Sequence, residues 1–103
     1  MSKEKLVIDS DLADLIPGFL ENRKKDVSTL RNHLSTKNFS EIKLLGHKMK
    51  GTSGGYGFNT MSQIGLQLED AAANSNEDKI ERLIEKLVHH LDNIEVSFAP
   101  ASK

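Results

Sequence analysis

The sequence predicts an all-α fold: an antiparallel up-down four-helix bundle with a short extra helix at the N-terminus. Three observations carry that expectation. Apolar residues recur at intervals of three and four along four separate stretches, which is the period of a helix with one buried face. The stretches are joined by connections of a few residues, so consecutive helices should lie side by side and run in opposite directions. The chain also has two prolines, no tryptophan and no sustained β-branched alternation.

In chain order, 1–5 is polar and expected to fray, as is 99–103. Leu6 to Ile16 contains the short extra helix, capped by Ser10 or Asp9 and holding Leu12, Leu15 and Ile16. Pro17 suits the first turn of the next helix, where a missing N–H costs nothing. From there to about Leu34, Phe19, Leu20, Val27, Leu30 and Leu34 keep the apolar rhythm, and Arg23-Lys24-Lys25 reads as a solvated face. Asn38, three residues before Glu41, starts the second helix as a variant capping box. Gly54, Gly55 and Gly57 mark its end. Asn59 or Thr60 caps the third helix, whose inward residues are Met61, Ile64, Leu68 and Ala71 or Ala72. Asn74-Ser75-Asn76 breaks it, with Ser75 as the next cap. The last helix, 77–98, places Ile80, Leu83, Ile84, Leu87, Leu91, Ile94 and Phe98 on one stripe, and Pro100 closes it.

Composition narrows the functional classes. The 103 residues make one domain, 1–103, with a single modest core. Charged residues are 28% of the chain and the formal net charge is −1, so no global basic field is aimed at nucleic acid. The chain has no cysteine, which excludes disulfides and thiolate metal sites and fits a reducing cytoplasm. No apolar run approaches the roughly 20 residues that span a bilayer, and MSKEKLVIDS lacks the apolar core of a signal peptide. The starting Met agrees with an independent protein. A four-helix core consumes the C-terminal stripe, so a monomer is expected rather than a dimer seam.

The stretch that asks for a chemical reason is Leu44 to Phe58. On a helix, Ile42, Leu45, Met49, Thr52 and Tyr56 share the core-facing side. His47 falls on the opposite side, with Lys43, Lys50, Gly51 and Gly54 around it. Lys50, one turn on, can neutralise an anion attached to the imidazole. Gly51 costs the helix roughly 1 kcal/mol against Ala, which implies a steric purpose: clearing the surface for a partner that reaches His47. If the hairpin between the central helices turns near Phe58, residues whose numbers total about 116 face each other, and His47 meets Glu69. A carboxylate accepting from one ring N–H would fix the tautomer and leave the other nitrogen as nucleophile. Against this stands the plainer reading of Glu69 as one of several surface acids.

Other constellations are weak. Gly46, Gly51 and Thr52 have a Walker-like spacing, but the lysine before the threonine is missing and no strand precedes them. His33, His89 and His90 do not form H-E-x-x-H, and adjacent histidines on a helix diverge by roughly 100°.

The run His47-Lys48-Met49-Lys50-Gly51-Thr52-Ser53, then Gly57, then Leu68-Glu69-Asp70-Ala71, resembles the histidine-containing phosphotransfer (HPt) domain family. It is also similar to the phosphoacceptor domain of chemotaxis histidine kinases. The resemblance implies that His47 takes a phosphoryl group from a receiver-domain aspartate or a histidine kinase and passes it to a receiver. It implies phosphate on Nε2, Nδ1–H held by Glu69, and Lys50 stabilising the phosphoryl group. Gly51, with Gly54, would admit the receiver's loops. Some family members have Gln at the position of Glu69, and Gly54-Gly55-Tyr56-Gly57 departs from the larger residues common there. No cofactor is expected on this chain, since the Mg²⁺ would belong to the receiver. The receiver's acidic site suits Lys43, Lys48 and Lys50, and Leu44 is a candidate apolar docking contact. With no room for an ATP-binding domain, the phosphoryl donor must come from outside. A helical adaptor that binds such partners without carrying phosphate is the alternative, and a structural domain with an incidental histidine is the other.

Overall fold

The computed structural model describes residues 4–100. Four helices carry most of them: α1 (Ile16–Ser35), α2 (Phe39–Gly55), α3 (Asn59–Ala73) and α4 (Glu77–Asn93). Pro17 lies in the first turn of α1. The Asn38 side chain caps α2 by accepting from the Glu41 N–H at 3.4 Å. Gly57, at φ 87°, turns the chain out of α2, and the Phe58 N–H returns to the Ser53 carbonyl at 2.8 Å.

Two caps differ from expectation. At the start of α3 the cap position is held by Phe58, with no side-chain hydrogen bond, and Asn59 and Thr60 already lie inside the helix. The Phe58 ring is fully buried, so core packing rather than a cap sets the entry of this helix. At the start of α4 the cap is Asn76, which accepts from the Lys79 N–H at 3.2 Å. Ser75 is excluded because its φ of 51° places it in the left-handed turn that ends α3.

The core gathers Phe19 and Leu30 of α1, Ile42 and Met49 of α2, Met61, Ile64 and Leu68 of α3, and Ile80, Ile84 and Leu87 of α4. Phe19 ties the hairpin to α1, its ring centroid 5.1 Å from Tyr56 and 4.9 Å from Phe58. Arg23 leaves the expected solvated face. Its guanidinium lies 5.0 Å over the Phe19 ring, and its Nε donates to Asp26 at 2.7 Å. On α2, Thr52 is exposed and Ser53 is buried in its place, so the inward stripe runs Ile42, Gly46, Met49, Ser53. That rotation brings small residues against α3.

The all-α expectation needs a correction, because the two ends of the chain form a parallel strand pair. Strand β1 (Glu4–Asp9) lies beside β2 (Ile94–Ala99) in the register Glu4↔Ile94 to Asp9↔Ala99. The short helical piece expected within 6–16 is a single 3-10 turn, Ser10–Leu12, preceded by the strand and capped by Asp9, which accepts from the Asp11 N–H at 2.9 Å. The last helix stops at Asn93 instead of reaching Phe98, which is 45% exposed. The expected fraying of 1–5 and 99–103 does not hold for Glu4, Lys5 and Ala99, which are paired strand residues. Its remainder falls on Pro100, exposed and just past the strand, and on 1–3 and 101–103, outside the described residues.

The cause is a period ambiguity. Ile94, Val96 and Phe98 fit an alternating strand as well as Ile94 and Phe98 fit a helical stripe. Leu6 and Ile8 supply the matching alternation, paired with Val96 and Phe98 that lie 90 residues later. A two-stranded sheet is marginal by itself. Here it is held down by Ile8, which is 3% exposed and belongs to the core. No described helix is long and apolar enough to cross a membrane.

Candidate functional site

Two glycines determine how α2 and α3 meet. A Cβ built on Gly46 would stand 2.7 Å from the Glu69 backbone nitrogen and 2.8 Å from the Gly65 carbonyl oxygen. One built on Gly65 would stand 2.6 Å from the Lys50 nitrogen and 2.7 Å from the Gly46 oxygen. Only residues without a side chain allow this approach of two backbones. One turn further, the Ser62 hydroxyl donates to the Lys50 carbonyl at 2.8 Å, in space left by Gly54, whose Cβ would come 3.2 Å from Ser62 Oγ. Higher numbers on α2 thus meet lower numbers on α3.

That register brings together three side chains that the sequence singled out. Glu69 Oε2 lies 3.2 Å from His47 Nδ1, across 22 residues of chain. Glu69 Oε1 lies 3.4 Å from Lys50 Nζ. Burial pushes the Glu69 carboxyl upward, but the Lys50 ammonium, and then the His47 ring, outweigh that effect and hold it below the ordinary glutamate value. An ionised carboxylate can only accept, so His47 Nδ1 must be the donor, and in the neutral ring Nε2 is the nitrogen that carries the lone pair. The His47 side chain is 61% exposed, and among the described residues no group is hydrogen-bonded to Nε2. Such an arrangement, an exposed imidazole oriented through Nδ1 with an ammonium one helical turn away, has the chemistry of a nitrogen nucleophile when the ring is neutral.

The remaining residues named from sequence surround this triad more loosely. Lys43 and Lys48 are exposed, and Leu44 is 46% exposed. Leu44 and Lys48 line a shallow groove against Thr29 and His33 of α1, on the flank of α2 away from Glu69. Gly51 has nothing within 4 Å of a built Cβ, so the surface beside Lys50 is open. Gly54 is exposed, and it is also the glycine that admits Ser62. No group of three or more histidine, aspartate or glutamate side chains among the described residues is placed to hold a metal ion.

Sequence reasoning missed Gly46, Gly65 and Ser62, which set the register, and Leu66. Leu66 is 42% exposed and stands one turn before Glu69 on the same helix face, beside the triad. The signal for the first pair was present: a glycine inside each of two helical patterns that a turn near Phe58 lays side by side.

The family model for the Hpt domain matches residues 14–96, from the loop before α1 to β2. Domains of this family are phosphocarrier modules of phosphorelays that work with receiver domains and kinases. A search of curated proteins found no match, and a search of solved structures found none either.

Proposed function

Because the chain belongs to the Hpt domain family, we propose that it is a phosphocarrier whose acceptor is Nε2 of His47. The single observation that supports this reading is the division of labour on one ring: Nδ1 is held by Glu69 at 3.2 Å, while Nε2 has no partner among the described residues on a side chain that is 61% exposed.

The step balances without any other group on this chain. The Nε2 lone pair attacks the phosphorus of an aspartyl phosphate on a receiver, or of a phosphohistidine on a kinase. The bond to the donor oxygen or nitrogen breaks as the N–P bond forms. The ring then carries positive charge, which the Glu69 carboxylate at Nδ1–H stabilises, and no proton has to leave. Lys50, released from Glu69 Oε1, can turn its ammonium toward the phosphoryl oxygens. In the reverse step a receiver aspartate attacks the same phosphorus and the ring leaves as neutral imidazole. The divalent cation belongs to the receiver, and this chain supplies positioning and charge.

The docking face in this reading spreads from His47 over Lys43, Leu44, Lys48 and the open surface at Gly51, where lysines meet the receiver's acidic site. Gly54, beyond Gly51, completes it. The opposed numbering of α2 and α3 supports an up-down order for the bundle. We place the protein in the cytoplasm as a monomer, with no kinase activity of its own.

Incubation with a phosphorylated receiver tests the proposal. One acid-labile, alkali-stable phosphate should appear on the protein and be absent from His47→Gln. Persistent labelling of His47→Gln, or no labelling from any receiver or kinase of the same cell, would overturn it and leave an adaptor that binds without carrying phosphate.

A further inference from the structure

The contacts that a side chain on Gly46 or Gly65 would make between α2 and α3 fall at the residues of the triad itself. The Gly46 contact lands on the backbone nitrogen of Glu69, and the Gly65 contact lands on the backbone nitrogen and Cα of Lys50. Ser62 then donates to the carbonyl of that same Lys50. Glycine weakens a helix interior relative to alanine, and both glycines lie well inside their helices. Packing alone would be served by alanine at a slightly wider helix separation. We propose that Gly46, Gly65 and Ser62 are positioning residues: they press α2 against α3 so that Glu69 reaches His47 Nδ1 and fixes its tautomer.

The geometry sets the size of the effect. A methyl group on Gly65 would have to move from 2.6 Å to at least the 3.4 Å at which ordinary contacts begin, a displacement of about 0.8 Å against rigid backbone. The contact it controls is a single 3.2 Å hydrogen bond, already at the long end of the useful range. A separation of that size carries the carboxylate out of reach of the ring. It also moves Lys50 and Glu69 apart, because the two helices bear one partner each. The active geometry therefore depends on three residues that never touch the phosphoryl group.

This inference rests on the reading of His47 as phosphoacceptor, but its primary test does not. The ring-nitrogen NMR shifts of His47 in the unphosphorylated protein report which nitrogen bears the proton, whether or not phosphate is ever carried. In the wild type they should show Nδ1–H with Nε2 free. In Gly65→Ala and Gly46→Ala they should move toward a mixture of tautomers, and phosphate uptake from a receiver should fall by about 10- to 100-fold with little change in receiver affinity.

Two controls separate positioning from general damage. Leu83→Ala should lower thermal stability and leave the ring shifts unchanged, since Leu83 lies in the core on α4. Gly18→Ala should leave the ring shifts unchanged and hold or slightly raise thermal stability, since it lies in α1 and a built Cβ there meets nothing within 4 Å. If an alanine variant does not fold, Ser62→Ala adds no volume and removes only the hydrogen bond to Lys50, and a smaller displacement of the same shifts is expected. Folded Gly65→Ala with wild-type ring shifts and uptake would overturn the proposal, as would unchanged shifts in Ser62→Ala where the glycine variants do not fold.

Discussion

Glu69 reaches His47 from a different helix, its Oε2 3.2 Å from Nδ1, while its other oxygen lies 3.4 Å from Lys50 Nζ. One carboxylate thus contacts both the imidazole and the ammonium. Glu69→Gln keeps an oxygen acceptor for Nδ1–H but loses the charge, so transfer should slow modestly. Glu69→Ala removes the acceptor and should slow transfer by about 10- to 100-fold. Uptake rates measured from one phosphorylated receiver give the order directly. Equal rates for wild type and Glu69→Ala would remove Glu69 from the mechanism.

Lys50→Ala leaves the tautomer in place and removes the only ammonium paired with Glu69 among the described residues. Uptake should fall by about tenfold or more, with little loss of stability because the side chain is 37% exposed. The lifetime of the phosphohistidine, followed with time, should shorten as well.

Gly51→Arg should leave the fold intact or firm it by up to about 1 kcal/mol, since arginine is the better helix former and nothing lies within 4 Å. A long side chain there stands in the path to His47. Receiver binding, titrated by calorimetry, should be lost while the melting temperature holds. Undiminished binding would remove the steric role of this glycine.

The strand pair depends on Ile8. Its side chain joins the core from β1, and Ile8→Ala should cost about 2 to 5 kcal/mol or release the strand. Amide hydrogen exchange decides between these outcomes: release exposes β1 and β2 while the helices stay protected. If β1 and β2 exchange no faster than the helices, the strand pair is held by something other than this anchor.

Stability should fall on mild acidification because of His90. Burial pushes its pKa below the usual 6.5; Glu4, 4.0 Å from Nδ1, pulls it back, and His89 and Lys86 push it down again. Its Nε2 has no partner in the interior. A depressed folded value means that the unfolded chain binds the proton first. The contribution is complete above about pH 6.5 and is lost as the pH falls toward the folded pKa. Melting temperatures at neutral and mildly acid pH should differ less in His90→Leu than in the wild type.

Much of the fold could be read in advance because helices are local objects. The Asn38 cap, the glycines ending α2, the break at Asn74-Ser75-Asn76 and the inward Met61, Ile64 and Leu68 all follow from residues within a few positions of one another. The strand pair could not be read this way. Leu6-Val7-Ile8 and Ile94 to Phe98 are each ambiguous, and only their meeting across the chain resolves both as strands. The caps at Phe58 and Asn76 escaped for a related reason: a buried ring overrode the side-chain formers beside Phe58, and a left-handed turn removed Ser75 and left the equally good former Asn76.

The site divides along the same line. The sequence by itself placed His47 opposite the apolar stripe of its helix, with Lys50 one turn away and Gly51 bare beside them, because angular position on a helix is set by residue number. It also named Glu69 as the facing residue, from the position of the turn. Tertiary structure decided how close that residue comes, through Gly46 and Gly65, and therefore which ring nitrogen holds the proton and which is left free. Spacing along a chain fixes direction around a helix axis; distance between two axes is fixed only by the atoms that fill, or leave empty, the space between them.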